Sequence, residues 1–436
     1  MLKHSPEIKS PAFLVFCFLI LGSALGINFP FKIFIITLIP VFILSICFII
    51  LKKWDPFIIL ILVLSSFFYT EKSAELSRKN PVHLFGLTIE NRIISFSGNT
   101  YSVKGEKLVD GLIVDIVGDV YSYRNFNYLK IRKLRVISTF FSPIFTWRKG
   151  IINSIKTSLP GVIGDIGIAL LLGEKSAMPD FIKERFRSCG AAHLLAVSGL
   201  HTGIIFLILT VLLSILPIKK NFIPVIASAL LIPYLFLTGF RVSVVRAFIM
   251  LFIYSLGDLL QRKANPLNVV GVAGSILLLI NPLTIKSISF QLSFLAVTGI
   301  IILLDTFKNL IPHKGNILHK YILYPAFITT SAQVFTFPVV FYNFGYIPLY
   351  SVFANIILVP LTSLFISGMI LMVSLPFLRL LTSSGVWFIG MSFNKIMMAF
   401  QHMPYSVITG RPSIYVFLIY PLLLLLLFLP RFRNSP

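Results

Sequence analysis

Cysteine, acidic side chains and charge in general are scarce in this chain of 436 residues. Its three cysteines provide neither a disulfide framework nor a CxxC metal pair. Only 12% of the residues are charged, against about a quarter in soluble domains, and 57% are apolar. The composition therefore argues against a soluble globular protein and predicts a multi-pass membrane protein.

The shortage of acidic residues leaves the chain strongly basic. There are 38 Lys and Arg against 15 Asp and Glu, which gives a formal net charge of +23. Such a surplus can orient loops by the positive-inside rule, attract anionic lipid or hold a polyanionic substrate. Because basic residues flank alternate ends of the apolar runs, we assign those ends to the cytoplasm and the protein to the cytoplasmic (inner) membrane.

Apolar runs that can cross a bilayer recur along most of the chain. Allowing for short or broken helices, they predict a polytopic α-helical membrane protein with about twelve spans. The first run follows a basic N-terminus, and we interpret it as an uncleaved anchor because a second run comes almost at once. The predicted spans are 11–27, 31–51, 56–69, 193–216, 222–237, 242–256, 267–280, 288–304, 321–344, 349–375, 386–400 and 414–429.

The segment 71–150 differs in character from these runs. Here β-branched and aromatic residues alternate with polar ones in short stretches broken by Gly, Asn and Asp, which is the pattern of antiparallel strands. About five strands in roughly 60 residues predict a small inserted OB-like β-barrel. Lys52 and Lys53 mark the preceding loop as cytoplasmic, so we expect this barrel outside the membrane.

The same patterns predict three domains. Residues 1–70 form N-terminal membrane helices, residues 71–150 the OB-like extracytoplasmic β domain, and residues 151–430 a multi-helix membrane domain. At the start of the last domain, the stretch DIGIALLLGEKSAMPDFIKERF predicts a helix, a turn marked by proline and a second short helix.

Basic residues concentrate within the β segment. From Lys72 to Lys149 there are 13 Lys and Arg against 6 Asp and Glu, and several aromatic residues precede the most basic stretch, KIRKLR. This combination is typical of a platform for single-stranded nucleic acid, although short strands also need aromatic residues for their own core. The candidate DNA-binding residues are Lys130, Arg132, Lys133 and Arg135.

The motif HLLAVSGLHTG, at 193–203, places histidines, a serine and glycines at the start of an apolar run. His193 and His201 stand about two helical turns apart, which is far for two ligands of one metal ion, and no HExxH occurs. On a helix, Ser198 and His201 would share a face, so an intramembrane serine hydrolase that pairs Ser198 with His402 is one reading, but the GxSxG elbow is missing. Gly199 and Gly203 form a GxxxG pattern, which can bring helix backbones together in lipid.

Polar side chains inside membrane segments are costly and tend to face the bundle interior or water. We therefore prefer to read the motif as part of a polar, helix-broken channel or substrate path, with no catalytic residue, metal or cofactor. Arginine suits phosphate recognition because its guanidinium binds in a bidentate manner; an ion pair with Asp258 is the rival role for Arg246. The candidate path residues are His193, Ser198, Gly199, His201, Arg241, Arg246, Gln291, Ser293, Gln333 and Asn355.

Several stretches in order along the chain resemble the ComEC competence protein family. They are ALLLGE at 169–174, HLLAVSGLHTG at 193–203, VSVVRAFIM at 242–250, NPL at 281–283, FQLSFLAVTG at 290–299 and YNFGYIPLYSVFANIILVPL at 342–361. The resemblance implies a membrane channel component that moves one strand of DNA across the cytoplasmic membrane during natural transformation. It also implies pore or structural roles for the matching residues of the candidate path.

The resemblance carries expectations about partners as well. We expect single-stranded DNA and membrane lipids, with a DNA receptor and a cytoplasmic motor supplied by other proteins, and it leaves room for a homo-oligomer. Many family members continue into a metallo-β-lactamase-like domain, but no HxHxDH signature occurs here, so we expect another protein to supply any nuclease. The alternatives are an intramembrane serine hydrolase and a non-transforming paralogue that handles another polyanionic or lipid-linked substrate.

Overall fold

A computed structural model provides the fold of the chain. It describes residues 17, 19–20, 82–89, 92–95, 100–103, 113–123, 126–138, 141–310 and 318–410, except 177, 196 and 263. The predicted spans 31–51, 56–69 and 414–429, and most of 11–27, lie outside the described residues. Helices predominate, and a small sheet structure is present. The chain divides into two compact units, Met1–Ile151 with Leu209–Phe290 and Ile152–Ile208 with Gln291–Pro436.

Five strands of the first unit close into a barrel: β1 (Val82–Ile89), β2 (Arg92–Ser95), β3 (Thr100–Val103), β4 (Ile113–Tyr123) and β5 (Phe126–Ser138). The strand order is β1-β2-β3-β5-β4; β3 and β5 run parallel, whereas the other neighbours, including β1 and β4, are antiparallel. Val114, Ile116 and Leu129 are fully buried and fill the interior. The alternation of apolar and polar residues along 71–150 therefore predicted strands correctly.

Helical elements of the first unit follow the barrel. They are α1 (Ser142–Ser158), the end of α5 (Gly199–Ser214), α6 (Ile223–Leu230), α7 (Ile232–Leu237), α8 (Val242–Leu259), α9 (Pro266–Ile280) and the start of α10 (Ile288–Leu310), with 3-10 turns at Lys220–Phe222 and Pro282–Lys286.

Aromatic packing joins the barrel to these helices. Phe145 of α1 is buried against Ile113 of β4 and against Phe236 of α7, and the ring of Phe141 stacks on that of Phe236 at 4.5 Å. The buried Arg148 donates from Nε to the carbonyl oxygen of Leu237 at 2.8 Å, which satisfies a carbonyl at the end of α7. α1 therefore joins the barrel to α7 through this apolar cluster, and the buried hydrogen bond of Arg148 adds a second link between α1 and α7.

The second unit contains the helices that carry most of the candidate path. They are α2 (Val162–Leu172), α3 (Asp180–Ser188), α4 (Ala192–Leu195), α11 (Tyr324–Phe344), α12 (Ser351–Ser374) and α13 (Arg379–Gln401), with parts of α1, α5 and α10, a π-helical turn at His319–Leu323, a 3-10 turn at Pro376–Leu378 and a two-stranded sheet of β6 (Tyr346–Pro348) and β7 (Val407–Thr409). The predicted helix, turn and short helix near residue 170 correspond to α2 and α3.

Close packing around Phe365 organises this unit. Phe365 of α12 is fully buried, and α2 and α13 both contact α12. A Cβ added at Gly167 of α2 would lie 2.6 Å from Met369 Sδ, and one added at Gly390 of α13 would lie 2.9 Å from the Phe365 ring. Glycine therefore lets α2 and α13 approach α12 closely.

Among the residues that the structure describes, four helical segments are long and apolar enough to cross a bilayer: Lys220–Leu237, Val242–Leu259, His319–Phe344 and Ser351–Ser374. The shorter apolar helices are Val162–Leu172, Gly199–Ser214, Pro266–Ile280 and Ile288–Leu303. The chain is a membrane protein, and every predicted span between residues 193 and 400 is helical over most of its length. The count of about twelve spans and the three-domain division stay predictions.

Candidate functional site in the polar helix start

The motif 193–203 folds as two helices with a break between them. α4 ends at Leu195, and α5 begins at Gly199. Ser198 therefore precedes the helix rather than sharing a helical face with His201, as the spacing had led us to expect. The break between the two helices agrees with the expectation of a helix-broken path.

Ser198 and His201 close the start of α5 by hydrogen bonds to the backbone. The backbone N–H of Ser198 donates to His201 Nδ1 at 3.1 Å, and the Ser198 carbonyl oxygen accepts from Thr202 N at 3.2 Å and from Thr202 Oγ1 at 3.2 Å. This arrangement is half of a capping box, in which the third helical residue reaches back to the N–H of the cap. The motif histidine has a defined local role that the sequence analysis missed.

This hydrogen bond fixes the tautomer of His201. A backbone N–H can only donate, so Nδ1 must accept, and the neutral imidazole carries its proton on Nε2. His201 is fully buried, and within the described part of the chain its Nε2 has no hydrogen-bond partner. The buried N–H is a donor that requires an acceptor, since an unsatisfied buried donor costs about 1–3 kcal/mol.

His193 has a different environment. It is exposed on α4, and its Nδ1 lies 3.2 Å from the carbonyl oxygen of Gly190, which can only accept. The proton of neutral His193 is therefore on Nδ1, the tautomer opposite to that of His201. Among the residues that the structure describes, no group of three or more His, Cys, Asp or Glu side chains could hold a metal ion.

The loop before the motif touches the start of α12. Gly190 has a φ of 73°, and a Cβ added to it would lie 2.3 Å from Ser351 Cβ. Ser351 Oγ in turn accepts a hydrogen bond from Gln333 Nε2 of α11 at 2.8 Å. The loop before the motif and the path residue Gln333 therefore both contact Ser351, which is not among the candidate path residues.

Asn355 lies one helical turn after Ser351 and on the same side of α12. It is buried, and its Oδ1 has no hydrogen-bond partner within the described ranges. The hydroxyl oxygen of buried Ser331, on α11, likewise has no hydrogen-bond partner within the described ranges. This unit therefore holds several buried polar atoms that protein groups in the described residues do not satisfy, which is uncommon in a packed interior.

The remaining path residues of this unit are less enclosed. Gln291 and Ser293 lie half-buried on α10, and Gln291 makes a contact of its own. Further along α10, a Cβ added at Gly299 would lie 2.7 Å from the backbone oxygen of Ser331 on α11. α10 and α11 are therefore close neighbours near Ser331.

Gly203 does not have the packing role that GxxxG predicts. A Cβ at this position would meet no heavy atom within 4 Å, so no neighbouring helix in the described part of the chain approaches it. The GxxxG pattern shows only that the residues are small. Whether a second helix packs against them depends on the tertiary structure.

Arg241 and Arg246 belong to the first unit. Arg241 precedes α8 and its carbonyl oxygen accepts from Val244 N at 2.8 Å, whereas Arg246 lies within α8 and is buried. Both side chains take part in contacts. α8 is continuous to Leu259, so Arg246 and Asp258 are about 18 Å apart along it, and the rival ion pair cannot form.

The basic residues of β5 lie on the barrel. The side chains of Lys130 and Arg132 are exposed, while for Lys133 and Arg135 only the strand position is described. The register sets Lys130 opposite Asp119 and Arg135 opposite Asp115.

Among the described residues, no contact supports the hypothesis of an intramembrane serine hydrolase. Ser198 lies at the start of α5, and exposed His402 follows the C-terminal end of α13. No hydrogen bond joins these two side chains within the described ranges. The thiol nearest the motif, Cys189, is buried, and burial raises its pKa to about 11, so it is a poor nucleophile in the folded protein.

Comparison with known protein families gives a match. The profile of the family described as "Competence protein" matches residues 170–434. The chain belongs to the competence protein family. The match includes every candidate path residue, from His193 to Asn355, whereas the barrel strands lie outside it.

Two relatives extend this finding. The chain is 27% identical to "ComE operon protein 3" of Bacillus subtilis (strain 168) over 245 residues, which are 55% of this chain and 30% of the relative. It is 37% identical to an "Uncharacterized protein" of Aquifex aeolicus (strain VF5) over 149 residues, 33% of this chain and 34% of that protein. The matched region thus spans about a third of each relative. No solved structure matches the chain.

Proposed function

We propose that this protein is a channel component that passes single-stranded DNA across the cytoplasmic membrane during natural transformation. The observation that carries the proposal is the family membership, because the matching region contains the whole candidate path. The name of the Bacillus relative, "ComE operon protein 3", agrees with a competence role.

Buried polar atoms in the second unit support the same function. The Nε2–H of His201 and the Oδ1 of Asn355 are enclosed without protein partners in the described residues, and such groups in a membrane protein mark a hydrated or substrate-bearing interior. None of the path residues named here is a carboxylate. Within the second unit, a path lined by amides, hydroxyls and imidazoles suits a polyanion better than it suits a cation.

The barrel fits a receiving role for DNA. Its closed order β1-β2-β3-β5-β4, with β3 and β5 parallel, supports an OB-like fold, and exposed Lys130 and Arg132 offer positive charge. In this proposal the barrel lies outside the cytoplasmic membrane and the twelve-span topology holds. A receptor, a motor and any nuclease come from other proteins.

Deleting the gene and following labelled DNA tests the proposal. Wild-type cells should accumulate label inside the cytoplasm, while deletion cells should keep DNA at the surface in nuclease-sensitive form. A copy of the wild-type gene should restore entry. Equal entry in wild-type and deletion cells would refute the function.

A further inference from the structure

A tight turn after α13 presents a strongly exposed aromatic side chain. Tyr405 is 82% exposed and has a φ of 54°. Positive φ is uncommon for residues other than glycine, and among these it is enriched at Asn, Asp and His. Such conformations persist when the surrounding structure enforces them and occur often at functional sites, and Tyr405 combines one with a strongly exposed aromatic ring, which makes it a candidate contact residue.

Hydrogen bonds hold this turn against its neighbours. Tyr350 donates from its hydroxyl to the carbonyl oxygen of Pro404 at 3.1 Å, and Leu349 N donates to the carbonyl oxygen of Ser406 at 3.1 Å. Directly after the turn, β7 pairs with β6. The Tyr405 ring is therefore presented by a fixed scaffold rather than by a loose tip.

An arginine lies at the other end of the same small sheet. The guanidinium of Arg187, on α3, lies 4.1 Å from the centroid of the Tyr346 ring, and Tyr346 is buried in β6. Burial raises the pKa of the Tyr346 phenol, so the ring stays neutral beneath the cation. The Arg187 side chain is still 43% exposed, and its ion pair with Glu184, at 3.7 Å, is exposed and weak.

The spacing between these two groups suits an extended polymer. The sheet register pairs Pro348 with Val407, so Tyr346 lies at one end of the sheet and Tyr405 lies in the turn beyond its other end; the sheet itself, from Tyr346 to Pro348, is about 7 Å long. Aromatic rings stack on bases of any sequence, and an arginine plane offers both stacking and phosphate contacts. A stretch of a few nucleotides can reach both groups.

We propose that Tyr405 and Arg187 form a receiving platform for single-stranded DNA on the second unit, beside the loop that leads to exposed His193. The inference rests on the proposed function and adds a DNA contact site to it. The alternation of basic loops assigns residues 345–350 and 401–413 to the outer side, where an incoming strand arrives. The alternative ligand of this surface is a lipid headgroup, because aromatic residues are also enriched at membrane interfaces.

The platform can be mapped with the whole chain in nanodiscs of neutral phosphatidylcholine. Oligothymidylate that carries 5-iododeoxyuridine should crosslink to the peptide that contains Tyr405. Tyr405→Ala should remove this crosslink and weaken oligonucleotide binding about ten-fold or more, as expected for loss of one stacked base. Tyr405→Phe should bind as wild type, because stacking needs only the ring.

The matched control is Phe377→Ala. Phe377 is 79% exposed and precedes α13, so it stands at the opposite end of the same helix from Tyr405. This variant should bind DNA normally. Arg187→Gln should weaken binding most at low salt, as expected when a phosphate contact is lost.

Three results would overturn the inference: no crosslink near Tyr405, equal binding by Tyr405→Ala and Phe377→Ala, or loss by Tyr405→Ala of binding to anionic vesicles but not to DNA, which would indicate a lipid contact. The proposed function is tested separately. If wild-type cells import DNA and Tyr405→Ala cells do so equally well, only the platform fails; if deletion cells import DNA normally, the proposed function fails.

Discussion

Replacing Gly190 with alanine should destabilise the protein strongly. The new Cβ would lie 2.3 Å from Ser351 Cβ and 3.1 Å from Ser351 Cα, atoms near the backbone that cannot rotate away. The φ of 73° adds about 1–2 kcal/mol for a side chain in the left-handed region, and overpacking adds about 1–3 kcal/mol. The free energy of unfolding should therefore fall by about 2–5 kcal/mol.

Gly203→Ala provides the matched control. Its Cβ would meet no heavy atom within 4 Å, and alanine is the better helix former by up to about 1 kcal/mol. In detergent micelles, thermal unfolding followed by circular dichroism should place the Gly190→Ala midpoint on the order of 10 °C below wild type. The Gly203→Ala midpoint should equal or exceed that of wild type. If both variants unfold with wild type, the contact between Gly190 and Ser351 does not exist in the molecule.

Other residues offer independent tests. Changing the basic residues of β5 to Glu should abolish the salt-dependent DNA binding that we propose for the barrel, measured by fluorescence anisotropy with the whole chain; the residues to change are Lys130, Arg132, Lys133 and Arg135. Unchanged affinity would refute a receiving role for the barrel. His201→Gln should keep the melting temperature near wild type because Gln can close the capping box, whereas His201→Ala should lose about 1 kcal/mol or more; equal melting of both variants would exclude the capping role. With Cys17 and Cys47 replaced by Ser, Cys189 should resist iodoacetamide at pH 8 and react only after denaturation, because its pKa of about 11 keeps the buried thiol protonated; prompt labelling in the native state would show that this region opens.

Long apolar runs predicted helices well where local chemistry also marks their ends. The run 267–280 corresponds to α9, which begins where the Asn265 side chain accepts from Leu267 N at 2.9 Å and Pro266 occupies the first turn. These signals are local, so they can be read from the sequence. The run 222–237 predicts one helix, but the structure has two, α6 and α7, which meet at Leu231, two residues before Pro233. A proline in the first turn of a helix starts a new helix without changing hydropathy.

The candidate site was harder to predict because its defining contacts are distant in sequence. Gln333 was selected as a polar residue in a membrane run, but its partner Ser351 sits at a helix start, where serine is common. Gly190 is important because it packs directly against Ser351, a contact that the sequence does not reveal. Glycines at 167 and 390 mediate close helix contacts without any GxxxG pattern, whereas Gly203 has the pattern and no neighbour within 4 Å. Only the packed structure separates these cases.

The tautomer of His201 bears on how a strand could be driven through the second unit. Protonation would place a hydrogen on Nδ1, directed at the Ser198 N–H that donates to it, and would break the cap of α5. His201 is therefore unsuited to accept and release protons during transport, and it is available only as a neutral N–H donor. Asn355 adds a buried neutral acceptor. In the proposed channel, neutral groups of this kind would contact a charged polymer without binding it tightly, which favours passage over retention, and we therefore expect another protein to supply the driving force.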